Sequence, residues 1–163
     1  MIHSKSGIEK YTEECCQALK SSGARITSAR KAVIKCLAQS EHPLSPRQIL
    51  QKITKDKDLP SVDQVSVYRV LERLVELGLV HQVFPTGSYV ACFHSRCSMM
   101  FHVLTNCRSC GQTKEEHIPR ETLAPVLAYL ESALQFSPDA HLVQISGSCR
   151  ECLSKQAQSG STC

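Results

Sequence analysis

Two features of the chain predict an α+β protein, with an N-terminal winged helix-turn-helix followed by a small C-terminal α/β domain. Over residues 1–93, four helix-like segments lead into a short β-rich hairpin. From residue 101 onward, short strands alternate with one helix, and a Cys-x-x-Cys pair stands beside a strand near each end of that region. The boundaries that follow are a helical domain at 1–93, a hinge at 94–100, a second domain at 101–153 and a frayed polar tail at 154–163.

The first segment, Ile8 to Ser22, is helix-like and stops at Gly23, a residue suited to the left-handed position that ends many helices. In ARITSARKAVIKCLAQ, Thr27 or Ser28 can cap a helix that buries Ala32, Val33, Cys36 and Leu37. In LSPRQILQKITKD, Ser45 reads as the N-cap and Pro46 as the first helical residue, where its missing N–H leaves no bond unmade. Ile49, Leu50 and Ile53 give that helix its apolar face. The fourth segment, SVDQVSVYRVLERLVELG, runs to Gly78. Val67, Val70, Leu71, Leu74 and Leu77 share one side of a 3.6-residue wheel, with Ser66, Arg69, Arg73 and Glu76 as a polar stripe beside them. LVHQVF and SYVACF, joined by Pro-Thr-Gly, form the hairpin. The second domain reads as strands at 101–106 and 112–117, a helix at 122–135 and a strand at 141–146.

Charge is unevenly spread. Residues 1–92 carry 13 Lys/Arg against 9 Asp/Glu, whereas residues 93–163 carry 6 of each, so the whole excess of +4 lies in the first half. That asymmetry points the first half toward nucleic acid. The charged N-terminal stretch lacks the apolar run and cleavage site of a secretory signal. No stretch reaches the roughly 18 apolar residues of a membrane span. The expected location is the cytoplasm, where thiols stay reduced. There is no Gly-rich phosphate loop, no Ser/His/Asp pattern and no open metal site with a general base, so the chain is not expected to be an enzyme.

Ten cysteines in a reduced compartment call for an account. Cys107 and Cys110 form one Cys-x-x-Cys pair, and Cys149 and Cys152 form another after 38 intervening residues. Two residues between cysteines let both sulfurs meet one tetrahedral ion, and two such turns complete a closed, four-cysteine zinc site with no position open for substrate. Neither pair is expected to follow the strand-to-helix pattern of a redox-active dithiol.

These motifs together resemble those of the ferric uptake regulator family of metal-dependent repressors. The matching pieces are GARITSARKAVIKCL, VSVYRVLERLVELGLVH, the NCRSCG knuckle with acidic residues after it, and GSCREC. SYVACF followed by FHVLTNCRSCGQTKEE looks most like the zinc uptake regulator branch. The resemblance implies a homodimer whose second domain carries the dimer interface, a structural zinc on Cys107, Cys110, Cys149 and Cys152, and a regulatory metal site between the domains. By position, the regulatory ligands are His81, Cys92, His102 and Glu115. Two imidazoles, a thiolate and a carboxylate suit zinc. Taken singly, Cys92 also fits a small buried apolar residue, and His81 and Glu115 fit surface groups. Many relatives have His-x-His before the knuckle, but here position 104 is Leu104, so His94 or Cys97 could supply or replace a ligand. His141 matches a ligand of a further site in some members.

The resemblance also places the VSVYRVLERL helix in the major groove of double-stranded DNA. Arg69 matches the base-contacting position, and arginine offers two donors to guanine. Tyr68 and Ser66 would hold the backbone or pack on thymine methyls, and Arg25, Arg30, Arg47 and Arg73 would meet phosphates. Arg47 stands near a place where zinc-sensing relatives can carry an aromatic residue. A two-fold dimer implies a palindromic operator, and the implied role is repression of metal-uptake genes when zinc closes the hinge. Alternatives are an iron, manganese or peroxide sensor of the same family, or a thiol redox switch acting through exposed Cys15, Cys16, Cys97 and Cys163.

Overall fold

The computed structural model describes residues 4–84, 86–93, 100–137 and 142–159. His94, Cys97, His141, Cys163 and nearly all of the 94–100 hinge lie outside them. The chain divides into two units, Met1–Ser95 and Arg96–Cys163.

The first unit is built on capped helices. Helix α1 (Lys5–Ser21) begins earlier than its apolar pattern indicates, because Ser4 accepts a hydrogen bond from the Gly7 N–H. Its end is sealed at Gly23, whose φ of +78° suits glycine. Thr27 caps α2 (Ser28–Ala38), accepting from the Arg30 N–H. A reciprocal capping box between Ser45 and Gln48 starts α3 (Pro46–Lys55), with Pro46 in the first turn. Asp63 caps α4 (Gln64–Glu76), and strands β1 (Val80–Val83) and β2 (Ser88–Ala91) pair antiparallel as a wing. Leu44 exchanges two backbone hydrogen bonds with Tyr89, of 2.9 and 2.8 Å, tying the segment before α3 to β2.

All of these elements bury one shared core, with Leu19, Val33, Ile49, Val67, Leu71 and Leu74 fully enclosed. Tyr11 adds a buried hydroxyl that donates to the Leu79 carbonyl at 2.8 Å. Cys15 and Cys16, exposed thiols under the redox-switch alternative, are instead core residues on the inner face of α1. Burial pushes the Cys15 thiol up to about 12 and also raises that of Cys16, so neither offers a reactive thiolate.

In the second unit, β3 (Met100–Cys107) is the central strand. It pairs antiparallel with β4 (Thr113–Pro119) and parallel with β5 (Leu142–Gly147), and α5 (Arg120–Leu134) lies between β4 and β5 in the chain. A further helix, α6 (Arg150–Ser159), occupies much of the stretch expected to be a polar tail. The core here is thin. Among the described residues, those fully buried are Phe101, His102, Val103, Leu104 and Cys107, all from β3. Helix α5 buries none.

Replacing Leu71 by alanine should cost about 2–5 kcal/mol of first-unit stability, since it empties an enclosed site on α4. Urea unfolding followed by circular dichroism measures this; a loss below about 1 kcal/mol would contradict the packing described.

Candidate metal centres and nucleic-acid face

The four cysteines meet because β3 and β5 run parallel and end together. Cys107 is the last residue of β3 and stands opposite Gly147, and the Arg108 N–H donates to the Gly147 carbonyl at 2.9 Å. The chain then reverses in a tight knuckle. The Gly111 N–H donates to the Cys107 carbonyl and the Cys107 N–H to the Gln112 carbonyl, and Gly111 adopts a φ of +72°. Beyond β5, Cys149 sits immediately before α6 and Cys152 lies on its first turn. The four sulfurs all fall within 4.8 Å of one another, and those of Cys110 and Cys149 are 3.9 Å apart. Tetrahedral Zn–S bonds of about 2.3 Å imply S···S separations of about 3.8 Å, so the donors fit that ion.

The electrostatics agree. Backbone N–H groups of Cys149, Cys110 and Ser109 are directed at the Cys107 sulfur and lower its thiol to about 6. Hydrogen bonding to Cys149, burial and the other two sulfurs push Cys152 up to about 12. Four clustered thiols cannot all ionise without a cation, and a bound cation removes that obstacle. One expectation from sequence is corrected here. Cys149 does follow a strand and precede a helix, as a redox dithiol would. What sets it apart is its setting beside Cys107 and Cys110, with its N–H donated to the Cys107 sulfur at 3.3 Å.

The other four ligand candidates form two donor pairs, one in each unit. In the first unit, His81 lies on β1 opposite Val90, and Cys92 follows β2, fully buried, with its N–H on the Leu79 carbonyl. Their donor atoms are within 4.8 Å of each other. In the second, His102 on β3 is buried, and its Nδ1 lies 2.6 Å from Glu115 Oε1 on β4. A residue that the sequence motifs did not single out completes this corner. His117 stands directly across from His102 in the ladder, with its Nε2 3.4 Å from the same Glu115 oxygen. Alternation along β4 puts positions 115 and 117 on one face, a signal that the sequence carries by itself.

On α4, Tyr68 is 41% exposed, which removes it from the core, and Arg69 beside it is exposed too. Ser66 is differently placed. Its N–H and hydroxyl both donate to the Asp63 carboxylate, at 2.9 and 2.6 Å, so it fastens the helix start and holds Asp63 below its ordinary range. Arg73 pairs with Glu76 at 2.6 Å and reaches the Ser22 carbonyl. Arg30 donates to the Arg25 carbonyl and is half-buried, whereas Arg25 and Arg47 are exposed.

A winged helix with an outward Tyr-Arg pair, joined in one chain to a sheet closed by four thiols, defines a metal-dependent regulator of the winged-helix class. The ferric uptake regulator family model matches residues 21–144, and the chain belongs to that family. It is thus a metal-responsive transcription regulator and not an enzyme. Among curated relatives, the peroxide-responsive repressor PerR of Staphylococcus saprophyticus is 27% identical over 148 residues, covering 91% of this chain and 95% of the relative. Among solved structures, a zinc uptake regulator complexed with zinc and DNA matches with a TM-score of 0.74 at 22% identity, covering 95% and 99% of the two chains. Holo XcZur matches at 0.70 and 23%, covering 89% and 98%. The fold is shared with both.

Cys149→Ser should remove one tightly held metal per chain, which elemental analysis after mild chelation will show. Retention of that metal in the variant would take the four-thiol cluster out of the account.

Proposed function

We propose that this chain is a zinc-responsive repressor that acts in the cytoplasm as a homodimer, binding palindromic operators of metal-uptake genes. The observation that carries the zinc reading is the thiol of Cys92, enclosed beside His81. His81, Cys92, His102 and Glu115 would hold the regulatory ion. A nitrogen, sulfur and oxygen set of this kind suits borderline-soft zinc better than iron or manganese, which favour nitrogen and oxygen donors.

DNA binding is supported by the basic excess of residues 1–92 and by the exposed Tyr68 and Arg69 on α4. Arg69 would read a guanine edge, while Arg25 and Arg47 would meet phosphates. Dimerisation is supported by apolar side chains that the second unit leaves exposed, among them Val126, Tyr129, Phe136 and Ile145. An ion that draws donors from both units favours one arrangement of the winged helices. Shifting a dimer from mostly open to mostly closed takes about 5 kcal/mol of differential affinity, within reach of a four-donor zinc site.

The peroxide-sensing reading has its own support, since curated relatives at 25–27% identity are peroxide-responsive repressors. Metal content decides between them. Reduced protein should carry two zinc ions per chain, one resistant to mild chelation and one stripped with loss of selection of two-fold symmetric DNA from a random pool. Cys92→Ala should lack the labile zinc and the DNA selection. If Cys92→Ala instead behaves as the parent, and iron or manganese restores binding, the peroxide reading replaces the zinc one.

A further inference from the structure

The His102–Glu115 pair is an unusual thing to find enclosed in so thin a core. Glu115 is 12% exposed and His102 8% at their side chains, and a carboxylate removed from water needs donors around it. His102 supplies one at 2.6 Å. His117 is the second nitrogen facing the carboxylate. Its ring stands edge-on to that of His102, with centroids 4.6 Å apart and planes 79° apart, and its Nε2 lies 3.4 Å from Glu115 Oε1. Both His117 and Glu115 project from β4 on the face they share with His102, so the register of β3 against β4 fixes all three groups.

We propose that His117 is a positioning residue of the regulatory metal site, holding the Glu115 carboxylate in place so that Glu115 and His102 present their remaining donor atoms together. The inference rests on the zinc reading of His81, Cys92, His102 and Glu115. It adds a residue outside that ligand set. The role asks that the His117 Nε2, 3.4 Å from Oε1, close to hydrogen-bond distance and donate there. The rigid edge-to-face packing on His102 then limits rotation of both rings. Groups that orient metal ligands in this way typically change affinity by about 10–100-fold when removed.

The test compares His117→Ala and His117→Gln in the full-length chain. Glutamine keeps an N–H donor near the position of Nε2. Zinc affinity of the labile site is measured by competition with a chromophoric chelator, and cobalt(II) is used as a spectroscopic probe of coordination. His117→Ala should bind zinc about 10–100-fold more weakly, while His117→Gln stays within a few-fold of the parent. The cobalt ligand-field bands and the sulfur-to-cobalt charge-transfer band of His117→Gln should match those of the parent. The tightly held metal should remain in both variants, showing that the second unit is folded. Unchanged affinity in His117→Ala overturns the proposal. Equal loss in both variants with altered ligand-field bands also overturns it, by making His117 a ligand. A parent protein with no labile site at all, indistinguishable from Cys92→Ala, would instead remove the zinc reading on which the inference stands.

Discussion

The second unit depends on the parallel pairing of β3 with β5, because that pairing brings Cys107 to the place where Cys149 and Cys152 emerge. Little else in the unit can hold it together. Its enclosed side chains come from β3 alone among the described residues, α5 buries nothing, and Leu134, Phe136, Ile145 and Leu153 stay more than half exposed. A small domain without a sufficient core needs a staple or a partner. Structural zinc sites release about 10–16 kcal/mol of apparent binding free energy, comparable with the whole net stability of a typical domain. A metal at the thiol cluster would be such a staple, and a partner covering the exposed apolar side chains would be another. The first unit, with its continuous core under four helices and a wing, has no such need.

One strand carries donors of two different kinds. His102 and Cys107 are five residues apart on β3, so the odd spacing directs them to opposite faces of the sheet, about 16 Å apart along the strand. On one face, four sulfurs converge within 4.8 Å of one another. On the other, the His102 imidazole and the Glu115 carboxylate stand 2.6 Å apart. A closed site makes a rigid frame. Under the zinc reading an ion held by the imidazole and carboxylate pair can be gained and lost, which is what a sensor requires.

Helix boundaries and the core of the first unit are legible in the sequence because they are local. Thr27, Ser45 and Pro46 announce their helices within a few residues, and the spacing of Val67, Val70, Leu71 and Leu74 marks the buried side of α4. Periodicity shows which face is apolar, but it does not tell a core cysteine from a reactive one, and so the burial of Cys15 and Cys16 is not legible there. The bond from Ser66 to Asp63 is likewise hidden, because a serine on a polar stripe gives no sign that the residue three positions earlier engages it. Helix α6 escapes a sequence reading because its residues are mostly polar and carry no core-facing stripe. The place of His117 beside His102 needs the cross-strand register, which no local pattern specifies.

The thiol cluster and the thin core around it predict that a metal there organises the second unit and not the first. Hydrogen exchange of backbone amides, read by mass spectrometry with the tightly held metal present and after its removal under reducing conditions, tests it most directly. The expected result is that amides of β3, β4 and β5 lose their protection without the metal, while those of α1 to α4 keep theirs. Retained protection across β3 and β5 in the metal-free protein would contradict it.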